Sequence, residues 1–182
     1  MDPKHGEVTL HRMAPAVGVL GFIGLIWFGA AYMTAGPQLQ QALLQSYHWA
    51  FIFWMSLTMG CFGLTLLHHT IRPQWSLPLL RIFEAGGGPG SLFAMGVLFV
   101  PVVLGMDKVF VWTSELDNEI IKSKSWFLNK PMFLIVTIFV FVLWTTISWA
   151  LRASSVREDE SRDPVESQFR TNLSAPCLLL YF

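Results

Sequence analysis

Every Lys, Arg, Asp and Glu in this chain lies outside four apolar runs, at residues 13–35, 48–71, 91–106 and 131–151. About 20 consecutive apolar residues in a helix cross the hydrocarbon core of a bilayer. Three of the runs have that length. The third reaches it when extended by the Gly-rich stretch before it. The pattern therefore predicts an all-α, polytopic transmembrane helix bundle with four spans. Its punctuation agrees: Gly36-Pro37 closes the first run, Arg72-Pro73 closes the second, and Pro131 sits in the first turn of the fourth. Pro101, inside the third, predicts a bend that neighbouring helices must make good by supplying a donor to the freed carbonyl. Trp49 and Trp75 flank the second run as interfacial anchors. Ser56 and Gly60 form a small-xxx-small step, the pattern of a close helix contact.

The segments between the runs divide the rest of the chain. Residues 1–12 read as an exposed amino-terminal arm, and 38–47 as a loop or short surface helix. Residues 77–85 mix Leu79, Leu80, Ile82 and Phe83 with Arg81 and Glu84, too short to span and patterned as an amphipathic surface helix. Gly86-Gly87-Gly88-Pro89-Gly90 then reads as a hinge. It lacks the Lys-Ser/Thr ending and the preceding strand of a phosphate-binding loop. Residues 107–130 form the longest hydrophilic loop, 152–172 a polar linker, and 173–182 the start of a truncated fifth span. Lys4 and Arg12 ahead of the first run resemble a signal n-region. That run is too long for a cleaved signal core and more spans follow, so it reads as a retained helix.

Composition sharpens this picture. The chain of 182 residues is 53% hydrophobic and 13% charged, against about 25% charged in a typical soluble domain. Its eight Trp and fifteen Phe suit an interfacial aromatic belt. Twelve Lys+Arg balance twelve Asp+Glu, which argues against nucleic acid or acidic macromolecules as partners and leaves the lipid membrane. Two cysteines, Cys61 and Cys177, make neither a disulfide framework nor a Cys-rich metal site.

Charge also orients the spans. Lys4, Arg12, Arg72, Arg81, Arg152, Arg157, Arg162 and Arg170 fall on one side; Lys108, Lys122, Lys124 and Lys130 fall on the other. This asymmetry predicts a multi-pass protein of the plasma (inner) membrane with a cytoplasmic amino terminus.

Candidate chemistry concentrates at the cytoplasmic end of the second span. His68 and His69 leave the run together, and Arg81 and Glu84 share one face of the following helix. His titrates near neutral pH, and a carboxyl desolvated under neighbouring helices can relay protons. Asp107, directly after the third run, is a further proton-transfer or quinone-side candidate. The ordinary reading of each is an interfacial histidine pair, a surface ion pair and a helix-end charge. A haem between two helices needs an axial His from each, whereas His48, His68 and His69 all belong to the second span and His11 precedes the first. No Cys cluster, HExxH, GxSxG or paired acids with a clear role occur, so the chain shows no catalytic residue, metal site or redox centre of its own.

The order of several motifs resembles a known family. F-W-M-S-L-T-M-G-C-F-G-L-T-L-L-H-H-T at 53–70 is followed by Trp75, R-I-F-E-A at 81–85, F-V-P-V-V-L-G-M-D at 99–107, Trp112, K-S-W-F-L-N-K-P-M-F at 124–133 and L-S-A-P-C-L-L-L-Y-F at 173–182. From about Phe51 to Phe182 this resembles the second large membrane subunit of the quinol:cytochrome c oxidoreductase called alternative complex III, of the polysulfide-reductase membrane-anchor type. The matching positions are His68, His69, Trp75, Arg81, Glu84, Asp107, Trp112, Lys124, Leu128 and Asn129. The departures are Ile71, Arg72 and Pro73 where the family tends to have glycines, Phe110 for a tyrosine, and Cys177 for a glycine. The resemblance implies an amino-terminal fragment of a bundle of about ten helices. It implies a subunit that binds no cofactor by itself, with quinone as a possible ligand and haem and iron–sulfur centres in partner subunits. Two other classes stay open: a haem b membrane anchor of a dehydrogenase, and a transporter fragment. Against the second stands the lack of a charged group near any span's midplane. A reporter fused after Asn118 is expected to report from the non-cytoplasmic side; cytoplasmic activity there would reverse the orientation.

Overall fold

The computed structural model describes residues 3–73, 77–113 and 119–181, with the side chains of 1–14 and Leu77 left aside. Its elements are α1 (Pro3–Thr34), α2 (Pro37–Ile71), α3 (Leu77–Gly86), α4 (Pro89–Leu104), α5 (Met106–Val109), a 3₁₀ turn (Val111–Thr113), α6 (Glu119–Ser123), α7 (Lys130–Ser161) and α8 (Pro164–Tyr181). The fold is all-α, and no strand occurs among the described residues. Four segments are long and apolar enough to cross a membrane: Pro15–Thr34, Pro37–Ile71, Pro78–Leu104 and Lys130–Ser161. The protein is thus a multi-pass membrane protein. The chain divides into two units, Met1–Gln45 and Ser46–Phe182. The first holds α1 and the start of α2; the second holds the rest of α2 and every later element.

Helices run further than the apolar runs do. The arm expected over 1–12 is helical from Pro3 and continuous with the first span. The segment 38–47, expected as a loop or short surface helix, is helical and forms the first three turns of α2; its Gln, Leu and Ala are strong helix formers, and Pro37 occupies the first turn. The polar linker expected over 152–172 is the end of α7 and the start of α8. No Gly or Pro interrupts 152–162. α7 stops only where Arg162 turns left-handed at φ 54° and its N–H closes on the Glu158 carbonyl. Polarity ended the apolar pattern there but did not end the helix. At the other end of α7, Asn129 caps the first turn by accepting from the Met132 N–H at 2.9 Å. Trp75, expected as an interfacial anchor, lies outside the described residues.

The core joins four helices. Phe62 and Leu66 of α2, Leu92 of α4, Ile147 and Leu151 of α7 and Cys177 of α8 form one buried cluster. Of residues 173–181, the expected opening of a fifth span, Leu173, Cys177, Leu178 and Tyr181 pack into this core. Tyr181 lies over Gly63, where a Cβ would come within 3.0 Å of its ring, and its hydroxyl donates to the Met59 carbonyl at 3.0 Å. The close contact expected at Ser56 and Gly60 is absent among the described residues. Gly60 has nothing within 4 Å of a Cβ, while Ser56 bonds back to Ile52. Tyr47 ties α2 to α4 one residue past the carbonyl that Pro101 frees. Its hydroxyl donates at 2.6 Å to the carbonyl of Leu98, beside the Val97 carbonyl that Pro101 deprives of its usual donor.

The Gly run between α3 and α4 is a packing contact as well as a turn. A Cβ on Gly87 would stand 2.3 Å from the Phe62 nitrogen and 2.5 Å from its Cα, and one on Gly86 would stand 2.7 Å from Cys61 Sγ. On the other side, the Ser148 hydroxyl of α7 donates to the Gly87 carbonyl at 2.7 Å, fully buried. α2 and α7 therefore both close on one backbone position. Gly87→Ala must push backbone from backbone, a clash no side-chain rotation relieves, and is expected to destabilise the detergent-solubilised protein by about 2–3 kcal/mol. Gly60→Ala, with open space around it, is expected to be neutral or slightly stabilising. Thermal unfolding followed by circular dichroism compares the two, and equal effects would contradict this account of the junction.

Candidate functional site

α3 buries its carboxylate, leaves its guanidinium half exposed and turns apolar side chains outward. Glu84 is 8% exposed, whereas Ile82 is 61% and Leu79 42% exposed. A helix against a bilayer turns apolar side chains toward lipid and hides its polar groups in the protein. The buried side of α3 meets the last turn of α2, where His68 and His69 are also buried. His69 Nε2 faces Glu84 Oε1 at 3.7 Å. Neither atom has a hydrogen-bond partner, and the gap is too long for a direct hydrogen bond. The other Glu84 oxygen, Oε2, accepts from Arg81 Nη1 at 2.9 Å. Arg81 in turn donates to Ser155 Oγ at 3.1 Å and pairs with Asp159, both on α7.

α7 and α8 complete the polar end. Arg157 grips Glu166 with two hydrogen bonds, at 2.6 and 2.9 Å. Arg170 of α8 pairs with Glu158 and donates to Ser154 Oγ at 3.2 Å, while that hydroxyl donates to the Glu166 carbonyl. Arg72, left-handed at the end of α2, donates to Thr171 Oγ1 and to the Ser167 carbonyl; Thr171 donates to the His69 carbonyl. These groups enclose a polar cavity of about 270 Å³ lined by His68, His69, Arg72, Arg81, Glu158 and Arg170 among others.

Of the five residues singled out from the sequence, His68, His69, Arg81 and Glu84 come together here. Asp107 does not. It lies on α5 beyond the far end of α4, and 16 residues of helix rise roughly 24 Å. There Lys130 Nζ contacts Asp107 at 2.6 Å, and this hydrogen bond holds its carboxyl below the usual range. Sequence reading missed Ser155, Glu158, Asp159 and Arg170, which it assigned to a linker. A signal existed. Ile147, Ser148, Leu151, Ser154, Ser155 and Glu158 keep one helical stripe across the change from apolar to polar. A second, apolar groove of about 490 Å³ runs between α4 and α7, lined by Phe93, Phe99, Leu134, Ile138 and Phe141 with Thr137 and Thr145.

In comparisons with known proteins, the chain matches no family model and no curated sequence.

The Arg157 fork, first among the causes, lowers the Glu166 carboxyl to about 2. A carboxyl whose pKa is lower in the folded state adds stability above its ordinary value, and that contribution is lost as pH falls toward the folded pKa. The tie between α7 and α8 should therefore hold at pH 5 and weaken progressively below about pH 4.5, toward 2. Carbon-13 NMR of labelled glutamate is expected to show a midpoint near 2, returning to about 4.3 in Arg157→Gln. An unchanged midpoint in the variant would refute the role of the fork.

Proposed function

We propose that this chain is a membrane subunit of a respiratory quinol:cytochrome c oxidoreductase of the alternative complex III type. It anchors haem and iron–sulfur partner subunits in the plasma (inner) membrane, with its amino terminus cytoplasmic. It handles protons at the end of α2 and α3. The observation that carries the proton-handling part is the facing of His69 Nε2 and Glu84 Oε1, two titratable groups buried at one end of a membrane bundle with no other partner on either atom. A proton crosses such a gap through one water or after a small closure. The adjoining cavity has room for several waters at about 30 Å³ each. The order of motifs from Phe51 to Phe182 supports the assignment to the complex, and the α4–α7 groove offers the apolar walls that a quinone ring and tail require.

Protein purified from its native membrane is expected to bring haem and iron–sulfur subunits with it. Within that complex, Glu84→Gln keeps the shape and removes the titrating group. Quinol oxidation by cytochrome c should then fall ~100-fold, with the subunits still assembled. Purification without redox partners would overturn the assignment to the complex; full activity in Glu84→Gln would remove the proton role. A haem absorption band in the isolated chain would favour the membrane-anchor reading of a dehydrogenase.

A further inference from the structure

The polar cavity carries more donors than its own carboxylates use. Three guanidiniums, Arg72, Arg81 and Arg170, line it together with two carboxylates, Glu158 and Asp159. Both carboxylates are engaged, Glu158 by Arg170 and Asp159 by Arg81. Glu84, behind Arg81, brings the formal charge into balance, so the character of the cavity depends on which groups remain free. Arg170 is 7% exposed, yet its Nε–H has no hydrogen-bond partner. His69 Nε2 points instead at the equally unpaired Glu84 Oε1, 3.7 Å away. No carboxylate among the described residues pairs with Arg72. Thr171 and Ser167 hold its Nε and Nη2, leaving Nη1 unengaged. A buried donor left unpaired costs about 1–3 kcal/mol, and here one belongs to a cavity-lining arginine beside an unneutralised guanidinium.

The missing partner is therefore rich in acceptors. Arginine forks match the oxygens of a phosphate group. At about 270 Å³ the cavity admits such a group with water to spare. Its level in the membrane follows from its neighbours. Ile71, Leu79 and Ile82 are exposed apolar residues on the adjoining helices, while Arg157, Asp159 and Glu160 are exposed on the continuation of α7. The outer surface changes there from apolar to charged, as it does where lipid tails meet headgroups. Basic pockets between helices at this level are suited to headgroup phosphates.

We propose that the cavity between the ends of α2, α7 and α8 binds a phosphate group, held by Arg72 and Arg170. Lipid phosphate and free phosphate share this chemistry, and the assignment does not depend on the respiratory reading. The test titrates the full chain in a zwitterionic, phosphate-free detergent with two probes separately: inorganic phosphate, and short-chain dihexanoyl phosphatidic acid. Binding is read by isothermal calorimetry. Saturable binding of about one probe per chain is expected. Binding of phosphatidic acid alone identifies a headgroup site, and binding of both identifies a site for the phosphate group itself. Arg72→Gln should weaken binding at least tenfold, and Arg72→Lys should weaken it less. Lys108→Gln, on α5 with Asp107 beyond the far end of α4, should leave it within twofold. Circular dichroism checks that each variant folds; Arg72 is exposed, so its replacement leaves the core intact. No saturable binding of either probe, or equal affinity in Arg72→Gln, would overturn the proposal.

Discussion

The structure of the second unit depends on how closely a backbone can approach at Gly87. Phe62 of α2 presses on it from one side, and Ser148 of α7 bonds its carbonyl from the other. In lipid no hydrophobic force draws helices together, so contact at van der Waals distance and internal hydrogen bonds must do so. A residue without a Cβ at this point permits the first, and the buried serine provides the second. Because α3 and α4 meet there, the same contact sets the height and rotation of α3. It thereby decides that Glu84, and not Ile82, faces α2.

That rotation makes the site. On an isolated surface helix Arg81 and Glu84 would form an exposed i,i+3 pair of small value. Held by the Gly junction, Glu84 is buried against His69, while Arg81 reaches across to Ser155 and Asp159. The end of α7 and the start of α8 then close over the histidines through ion pairs and hydroxyl bonds. Membrane-level polar groups usually need such mutual pairing to be tolerated. Here the pairing is nearly complete, and the atoms left over (His69 Nε2, Glu84 Oε1 and Arg170 Nε) mark where a proton, a water or an anion can be accommodated.

Much of the fold was legible as sequence. The all-α class, the four spans, the stop at Arg72-Pro73 and the start near Pro131 follow from where charge is excluded and where Pro interrupts. Helix ends were less legible. In 38–47 and 152–161 the polarity changes while helix-forming residues continue, so an apolar pattern understates the helix. The Ser56–Gly60 step shows the reverse limit: a small-residue motif marks a surface able to pack, and the partner's position selects Gly63 and Gly87 instead.

By itself the sequence determined the number and approximate extent of the apolar spans and the clustering of His68, His69, Arg81 and Glu84 near one end of them. These follow from local composition, because a bilayer sorts residues by polarity along each helix. Only the tertiary structure decided that Glu84 points inward, that Asp107 stands apart with Lys130, and that Glu158, Asp159 and Arg170 belong to the site. Those are questions of rotation about a helix axis and of contacts between segments about a hundred residues apart, such as Arg72 with Thr171. Close packing settles them, and no local pattern encodes them.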